Sequence, residues 1–112
     1  MSNTIIPQGH FADEVNIPTE LLRVEMSPTA LRLWIAFAKF RDTATNECFP
    51  SNRSLLRLLP QGTNERTLRR AKLELEAKGL LTVQARHAED GRGLTNLYVL
   101  ISPVASEEQE EL

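Results

Sequence analysis

The stretch Asn64-Glu-Arg-Thr-Leu-Arg-Arg-Ala-Lys-Leu-Glu-Leu-Glu-Ala-Lys-Gly79 decides the fold of this 112-residue chain. Asn64 is a favourable N-cap, because its side-chain oxygen can accept a hydrogen bond from the free amides of a first helical turn. Gly79 suits the position after a helix, since it enters the left-handed region without a Cβ penalty. Three apolar residues share one helical face: Leu68, Ala71 and Leu75. The stretch therefore predicts a capped helix with one buried face.

A second face of this helix carries Arg66, Arg69 and Arg70, all in its first half. A short helix that is buried on one side and presents guanidinium groups on another suits the major groove of DNA. Leu73 falls between Arg69 and Arg70 at about 100° per residue. It can contact a thymine methyl group, a partner chain or a neighbouring hairpin, and the sequence does not choose among these.

The residues before this helix predict a second, shorter helix and a tight turn. Ser51 or Asn52 can cap the shorter helix, and its expected buried set is Leu55, Leu56, Leu58 and Leu59. Residues 60–63, Pro-Gln-Gly-Thr, end it and form the turn. Two short helices joined by a glycine-containing turn of about four residues have the spacing of a helix-turn-helix.

A longer helix is predicted further upstream. Ser27 is its N-cap and Pro28 its first residue, and it should continue to about Arg41 or Asp42. Its polar stripe is so narrow that the helix should be covered on two or more sides. It is therefore either the central helix of the domain or partly covered by a second copy of the chain, and we favour the homodimer.

After Gly79 the pattern changes from helix to strand. Leu80–Arg86 and Leu94–Ile101 are rich in strand formers, and His87–Gly93 between them contains Asp90-Gly91, which suits a hairpin tip. Shorter elements are expected upstream: one or two helical turns over residues 17–23, and an extended piece over residues 48–50. The predicted fold is mainly α with a small β-wing, a winged helix-turn-helix.

Composition sets the expected domain organisation and location. We expect a flexible N-terminal arm over residues 1–14, the winged domain over 15–101, and a disordered acidic tail over 102–112. No apolar run reaches the ~18 residues of a membrane span, and the N-terminus lacks a signal-peptide layout. Cys48 is the single cysteine, which fits a reducing compartment. A cytoplasmic protein that does not bind membranes is expected.

The charges are segregated along the chain, although the net charge is only −2. Residues 1–50 hold six acids and four bases, whereas residues 51–101 hold five acids and nine bases. The tail adds four glutamates and no base. A basic segment inside an acidic protein indicates a face that binds a polyanion, unless its arginines only solubilise an exposed helix.

The order of elements and several short motifs resemble the winged-helix domains of plasmid and phage replication proteins and related small regulators. The motifs are Cys48-Phe49-Pro50-Ser51, Leu55-Leu56, Gly62, Arg66-Thr67-Leu68-Arg69-Arg70-Ala71, Leu75-Glu76, Lys78-Gly79-Leu80-Leu81 and Thr95-Asn96-Leu97-Tyr98. Upstream, Ile17-Pro18, Leu21-Leu22, Met26-Ser27-Pro28 and Ala30-Leu31 are similar to the lead-in of plasmid replication initiators.

The resemblance implies DNA binding, with the second helix of the pair in the major groove and the wing on the backbone or minor groove. Two residues depart from the family pattern. Thr63 replaces an apolar turn residue, and Lys72 stands where an aliphatic side chain is usually buried. The departures imply a rotated helix or a rearranged core. The chain also ends where an initiator would continue, which favours a stand-alone DNA-binding protein.

Candidate DNA contacts come from both helices and from the wing. Arginine can bridge guanine O6 and N7 or clamp a phosphate, and residues at a helix start commonly hold the DNA backbone. Wing cations can contact phosphates, and the cation at the tip can probe the minor groove. For Asn64 and Thr67 plain helix capping is an equal alternative. The candidates are Ser51, Asn52, Arg53, Asn64, Glu65, Arg66, Thr67, Arg69, Arg70, Lys78, Arg86, His87 and Arg92.

Nothing in the sequence suggests catalysis, a metal or a cofactor. His10 and His87 are far apart, Cys48 has no partner cysteine, and the glycines of the hairpin tip are turn residues. We expect Cys48 to be a small buried apolar residue.

The leading hypothesis is a sequence-specific double-stranded-DNA-binding protein of plasmid or phage type, associated with the nucleoid or a plasmid. It would be a transcriptional regulator or the DNA-binding component of plasmid replication or partition, and a homodimer on a repeated or palindromic site. The alternative is a winged-helix protein-interaction module without intrinsic DNA specificity. In either case the acidic tail can recruit a protein partner.

Overall fold

The computed structural model describes residues 13–103 of the chain. A 3₁₀ segment, Thr19–Arg23, precedes helix α1 (Pro28–Phe40), strand β1 (Glu47–Cys48), helix α2 (Asn52–Arg57), helix α3 (Glu65–Ala77) and strands β2 (Leu81–His87) and β3 (Gly93–Leu100). These elements confirm the predicted winged helix-turn-helix. The predictions for the arm and the acidic tail lie, except for residues 13–14 and 102–103, outside the described residues.

Side-chain caps begin all three helices, as the sequence predicts. Ser27 Oγ accepts from the Ala30 amide at 3.1 Å, and Ser51 Oγ accepts from the Ser54 amide at 3.1 Å. Asn64 Oδ1 accepts from the Thr67 amide at 2.9 Å. Each cap satisfies an amide that has no partner within its helix, which favours a helix start at that residue.

The end of α3 is a two-hydrogen-bond cap built on Gly79. Gly79 has a φ of +74°, and its amide donates to the Glu76 carbonyl at 3.0 Å. The Leu80 amide donates to the Leu75 carbonyl at 2.9 Å, and both leucines are buried. This is the Schellman arrangement, which reverses the chain directly into β2.

The turn between α2 and α3 is closed by Pro60, Gly62 and Thr63. The amide and hydroxyl of Thr63 both donate to the Pro60 carbonyl, at 3.1 and 2.7 Å, while Gly62 adopts a φ of +97°. Thr63, which the resemblance singled out as a departure, therefore closes the turn by hydrogen bonding.

The predicted buried set of α2 is only partly correct. Leu55 and Leu59 are buried and Leu56 is half-buried, but Leu58 is 42% exposed. The α-helix ends at Arg57, one residue before Leu58, and Leu55 is its fully buried residue where α2 packs against α1 and α3. Leu58 lies instead at the edge of a surface groove between α1 and α2.

Helix α1 is the centre of the domain and packs against α2, α3 and β3. It ends at Phe40, slightly before the predicted boundary. Phe37 is fully buried, and its ring lies 4.7 Å from that of Tyr98 in β3. Trp34 Nε1 donates to the Ile101 carbonyl at 3.3 Å. The chain itself thus covers most of α1, while Phe40 remains 38% exposed.

The wing is a β2–β3 hairpin, and β1 extends it to a three-stranded antiparallel sheet in the order β1-β3-β2. The tip is closed by Ala88, whose amide donates to the Arg92 carbonyl at 2.7 Å, and by Gly91 at a φ of +87°. Strand β1, Glu47–Cys48, overlaps the extended piece predicted for residues 48–50 only at Cys48, which pairs with Tyr98. None of the helices between residues 13 and 103 is both long and apolar enough to cross a bilayer.

Candidate nucleic-acid interface

The exposed face of α3 carries three arginines. Arg66, Arg69 and Arg70 are all exposed, and within residues 13–103 no carboxylate lies within 4.0 Å of their guanidinium groups. Leu73 lies among them and is 57% exposed. The buried face holds Leu68, 1% exposed, and the two further apolar residues predicted for it. This face of α3 therefore carries three exposed cations without a salt-bridge partner among the described residues, and one exposed apolar side chain a turn further along the helix.

Glu74 fixes the flank of α3 that faces α1. Its Oε2 accepts from the Ser27 amide and its Oε1 from the Ser27 hydroxyl, both at 2.7 Å. These two hydrogen bonds lower the pKa of the Glu74 carboxyl below its ordinary value. The sequence does not predict this contact, because the two residues are 47 positions apart.

Lys72 fixes the opposite flank of α3, towards α2 and the wing. Its Nζ donates to Asn52 Oδ1 and to the Tyr98 hydroxyl, both at 2.7 Å. The same ammonium lies 5.0 Å from the centroid of the Tyr98 ring, and the side chain is half-buried. The core accommodates this departure from the family pattern by giving the ammonium two polar partners at its edge.

Some of the residues predicted at the starts of α2 and α3 cap their helix, and others are exposed to solvent. Ser51 and Asn64 are the N-caps, and the Thr67 amide is the donor to Asn64. The side-chain Oδ1 of Asn52 accepts a hydrogen bond from Lys72. Further side chains point outward: Arg53 at the start of α2 and Glu65 at the start of α3 are both exposed.

The cations predicted to act in the wing have different surroundings. Arg86 Nε donates to the Thr95 carbonyl at 2.8 Å, and its guanidinium lies 4.3 Å from the centroid of the Phe49 ring. His87 at the end of β2 and Arg92 at the tip are exposed. Lys78 is exposed at the C-terminal end of α3, away from the arginines in the first half of the helix. Arg86 is thus held within the sheet by its contacts, whereas His87 and Arg92 lie nearer the tip and are exposed.

Comparison with known families fits this geometry. A family model described as a helix-turn-helix domain matches residues 24–81, which is more than half of the chain. The chain belongs to the helix-turn-helix domain family. Searches of curated proteins and of solved structures find no match for the chain. Membership of the helix-turn-helix family indicates that the protein binds double-stranded DNA.

The helix-turn-helix match covers all three helices and ends where β2 begins. The match therefore contains the three arginines of α3, their two flanking contacts and the capped start of α2. The paired strands of the wing, with Arg86, His87 and Arg92, follow it in the chain. Side chains of α3 and of the wing are in direct contact, because Lys72 of α3 donates a hydrogen bond to the Tyr98 hydroxyl of β3.

Other reactive groups of the helix-turn-helix domain are buried or dispersed. Cys48 is 3% exposed, as predicted, and burial raises the pKa of its thiol to about 11. In the part of the chain that the structure describes, no three histidine, cysteine or carboxylate side chains converge in a geometry that could hold a metal ion.

Proposed function

We propose that the protein binds double-stranded DNA in a sequence-specific way, with α3 in the major groove. The observation that carries this proposal is the exposed arginine face of α3, whose guanidinium groups have no carboxylate partner among residues 13–103. Arginine forks match guanine edges and phosphates, and the first half of a recognition helix is the part that reaches the bases. Arg66, Arg69 and Arg70 are the proposed readers. In this proposal Leu73, which is exposed on the same face, contacts a thymine methyl group.

The rest of the proposed interface grips the DNA backbone. Arg53 and Ser51 at the start of α2, and Asn64, Glu65 and Thr67 at the start of α3, lie at the helix ends that commonly contact phosphates. In the wing, exposed Arg92 and His87 extend the interface beyond the helices. Further contacts are assigned to Asn52, Lys78 and Arg86.

The biological role that fits best is that of a transcriptional regulator, or of the DNA-binding component of a plasmid replication or partition system. The resemblance of the helix and wing motifs to plasmid and phage replication proteins supports this role. Selecting DNA fragments with the pure protein and sequencing them tests it. Iterated repeats support replication or partition, and a single promoter-proximal site supports regulation.

A titration of random-sequence duplex DNA across a salt series tests DNA binding itself. If several phosphates are neutralised, the logarithm of the binding constant falls linearly with the logarithm of salt concentration, at about 0.9 per phosphate. A variant with Arg66, Arg69 and Arg70 all changed to alanine should bind more weakly and with a shallower slope. No binding by the wild-type protein at low salt, or a slope near zero, would overturn the proposal.

We further propose that the protein is a homodimer. A groove of about 460 Å³ between α1 and α2 is lined mainly by apolar residues, among them Ile35, Leu58 and Pro60. A two-fold pairing of this face fits a palindromic site. Light scattering should give twice the mass of the chain for the wild-type protein and the mass of a single chain for Leu58→Glu. A wild-type monomer at high concentration would contradict the dimer.

A second candidate function rests on Leu73. An apolar side chain that is 57% exposed among arginines also suits a protein partner, and the acidic tail can recruit one. A module of this kind would show no salt-dependent binding to duplex DNA. The salt series therefore separates the two functions.

A further inference from the structure

Lys72 carries a charge that its surroundings do not neutralise. Its two hydrogen-bond partners, Asn52 and Tyr98, are both neutral, and within residues 13–103 no carboxylate lies within 4.0 Å of its ammonium. An ammonium has three donors, and only two of them have acceptors among these residues. A half-buried charge of this kind favours an anionic ligand.

The space beside this ammonium is a polar cleft between the start of α2, the flank of α3 and strand β3. The cleft has a volume of about 360 Å³, and no acidic residue lines it. Its polar lining consists of Ser51, Asn52, Lys72, Thr95, Asn96 and Tyr98. This set offers one ammonium, two amides and three hydroxyls, which is a donor-rich environment suited to phosphate oxygens.

A smaller opening of about 220 Å³ connects this environment to the arginine face. It shares Asn52, Lys72 and Asn96 with the larger cleft and adds Glu65 and Arg69, one acid and one base. The added pair contributes no net charge, so Lys72 sets the sign of the whole region. Because Arg69 also belongs to the exposed face of α3, the cleft lies beside the surface proposed to enter the major groove.

We infer that this cleft is a binding site for a phosphodiester group of the DNA backbone, with Lys72 as its cationic ligand. The inference rests on the DNA-binding function proposed above and names a contact within it. The phosphate is the one that flanks the groove occupied by α3. The side-chain Oδ1 of Asn52 accepts from Lys72, so the side-chain amide hydrogens of Asn52 can donate to the same phosphate. One anion would thus contact α2, α3 and β3 together.

The test compares four variants with the wild-type protein in the salt series on random-sequence duplex DNA. Lys72→Met removes the charge and keeps the aliphatic stem. Asn96→Asp places a carboxylate in the cleft without changing side-chain size. Tyr98→Phe removes one partner of Lys72 but leaves its charge. Lys39→Met is the matched control, because it removes a lysine charge at the far end of α1, where Lys39 pairs with Asp13 at 3.0 Å.

Lys72→Met should make the salt slope shallower by about 0.9, the value for one phosphate. Asn96→Asp should also make it shallower. Tyr98→Phe should weaken binding, since it removes a hydroxyl of the cleft, but should keep the wild-type slope because it removes no charge. Lys39→Met should keep the wild-type slope. If Lys72→Met does not fold, as judged by circular dichroism, Asn96→Asp alone decides. The wild-type slope in every variant that folds would overturn the inference. An equal loss in Tyr98→Phe and Lys72→Met would also overturn it, because it would show that Lys72 acts only by holding Tyr98.

Failure of the cleft and failure of the proposed function give different results. If the wild-type protein shows no salt-dependent binding, the DNA-binding function fails and the cleft fails with it. If the wild-type protein binds DNA and Lys72→Met keeps the wild-type salt slope, only the assignment of the cleft as a phosphate site is wrong.

Discussion

Arg86 shows how the surroundings of a side chain change what its charge can do. Its guanidinium covers Phe49, which is 48% exposed, and its Nε is committed to the Thr95 carbonyl. A cation over an aromatic face is stabilised there, so moving Arg86 to a phosphate would expose the ring. Arg92 at the hairpin tip has no such commitment and is exposed. Of these two wing cations, Arg92 is the better candidate for the minor groove.

Arg69 and Arg70 are the residues whose loss should most affect recognition. If they read bases, Arg69→Ala and Arg70→Ala should each weaken binding to a selected site by about 1–3 kcal/mol and reduce the preference for that site over random duplex. Titrations of both DNAs measure the two quantities, with Lys39→Ala as the control. An unchanged preference with a shallower salt slope would show that they contact phosphates only.

At the scale of the helix and strand, the sequence predicts what depends on neighbours along the chain. The caps at Ser27, Asn64 and Gly79 are such features, because a cap and its amide lie within a few residues of each other. The contacts of Lys72 and Glu74 could not be predicted, since their partners are distant in sequence and come together only after packing. The burial of α2 was overestimated for the same reason: helical spacing shows which residues share a face, but not how far a neighbouring element covers it.

The cap at the end of α3 should contribute measurably to stability. Gly79→Ala places a Cβ in the left-handed region, which costs about 1–2 kcal/mol, although no atom lies within 4 Å of the added carbon. Gly93→Ala is the matched control, since its Cβ also meets nothing within 4 Å and its φ is not positive. Urea denaturation of both variants measures the difference. Equal stabilities would show that the cap does not depend on glycine.

The contact between α1 and α3 should make stability depend on pH. The pKa of Glu74 is lower in the folded than in the unfolded chain, because Ser27 donates two hydrogen bonds to its carboxylate. The contribution is therefore fully present above the ordinary carboxyl pKa of 4.5 and is lost as the pH falls through the folded value. Glu74→Gln should lose less stability than wild type between neutral and acidic pH. Parallel pH profiles in thermal unfolding would contradict this.

At the scale of the whole molecule, one core joins the helices to the sheet. Phe37 of α1 contacts Tyr98 of β3, and the Cys48 sulfur of β1 lies 3.9 Å from the Phe37 carbonyl oxygen. The Tyr98 ring is part of the core, and its hydroxyl accepts a hydrogen bond from Lys72 of α3. The arrangement of α3 relative to the wing therefore depends on the same residues that hold the fold together.

Cys48 should report on the unfolding of this core. The thiolate is the reactive form of cysteine, and burial raises the pKa of Cys48 to about 11, so the folded protein holds almost none of it at pH 8. Alkylation by iodoacetamide should be slow in buffer and should rise along the urea unfolding curve measured by circular dichroism. Rapid alkylation of the native protein would show that β1 opens without global unfolding.

The contact between Ser27 and Glu74 has a consequence for Arg70. Residues four apart on a helix are neighbours, so Glu74 is the carboxylate placed to pair with Arg70 along α3. Both oxygens of Glu74 are occupied by Ser27 instead, and no salt bridge joins it to Arg70. The serine that caps α1 thereby holds the carboxylate that would otherwise pair with Arg70. The neighbouring guanidinium of Arg70 stays exposed and without a salt bridge to Glu74, and so it is free to contact an anion such as a DNA phosphate.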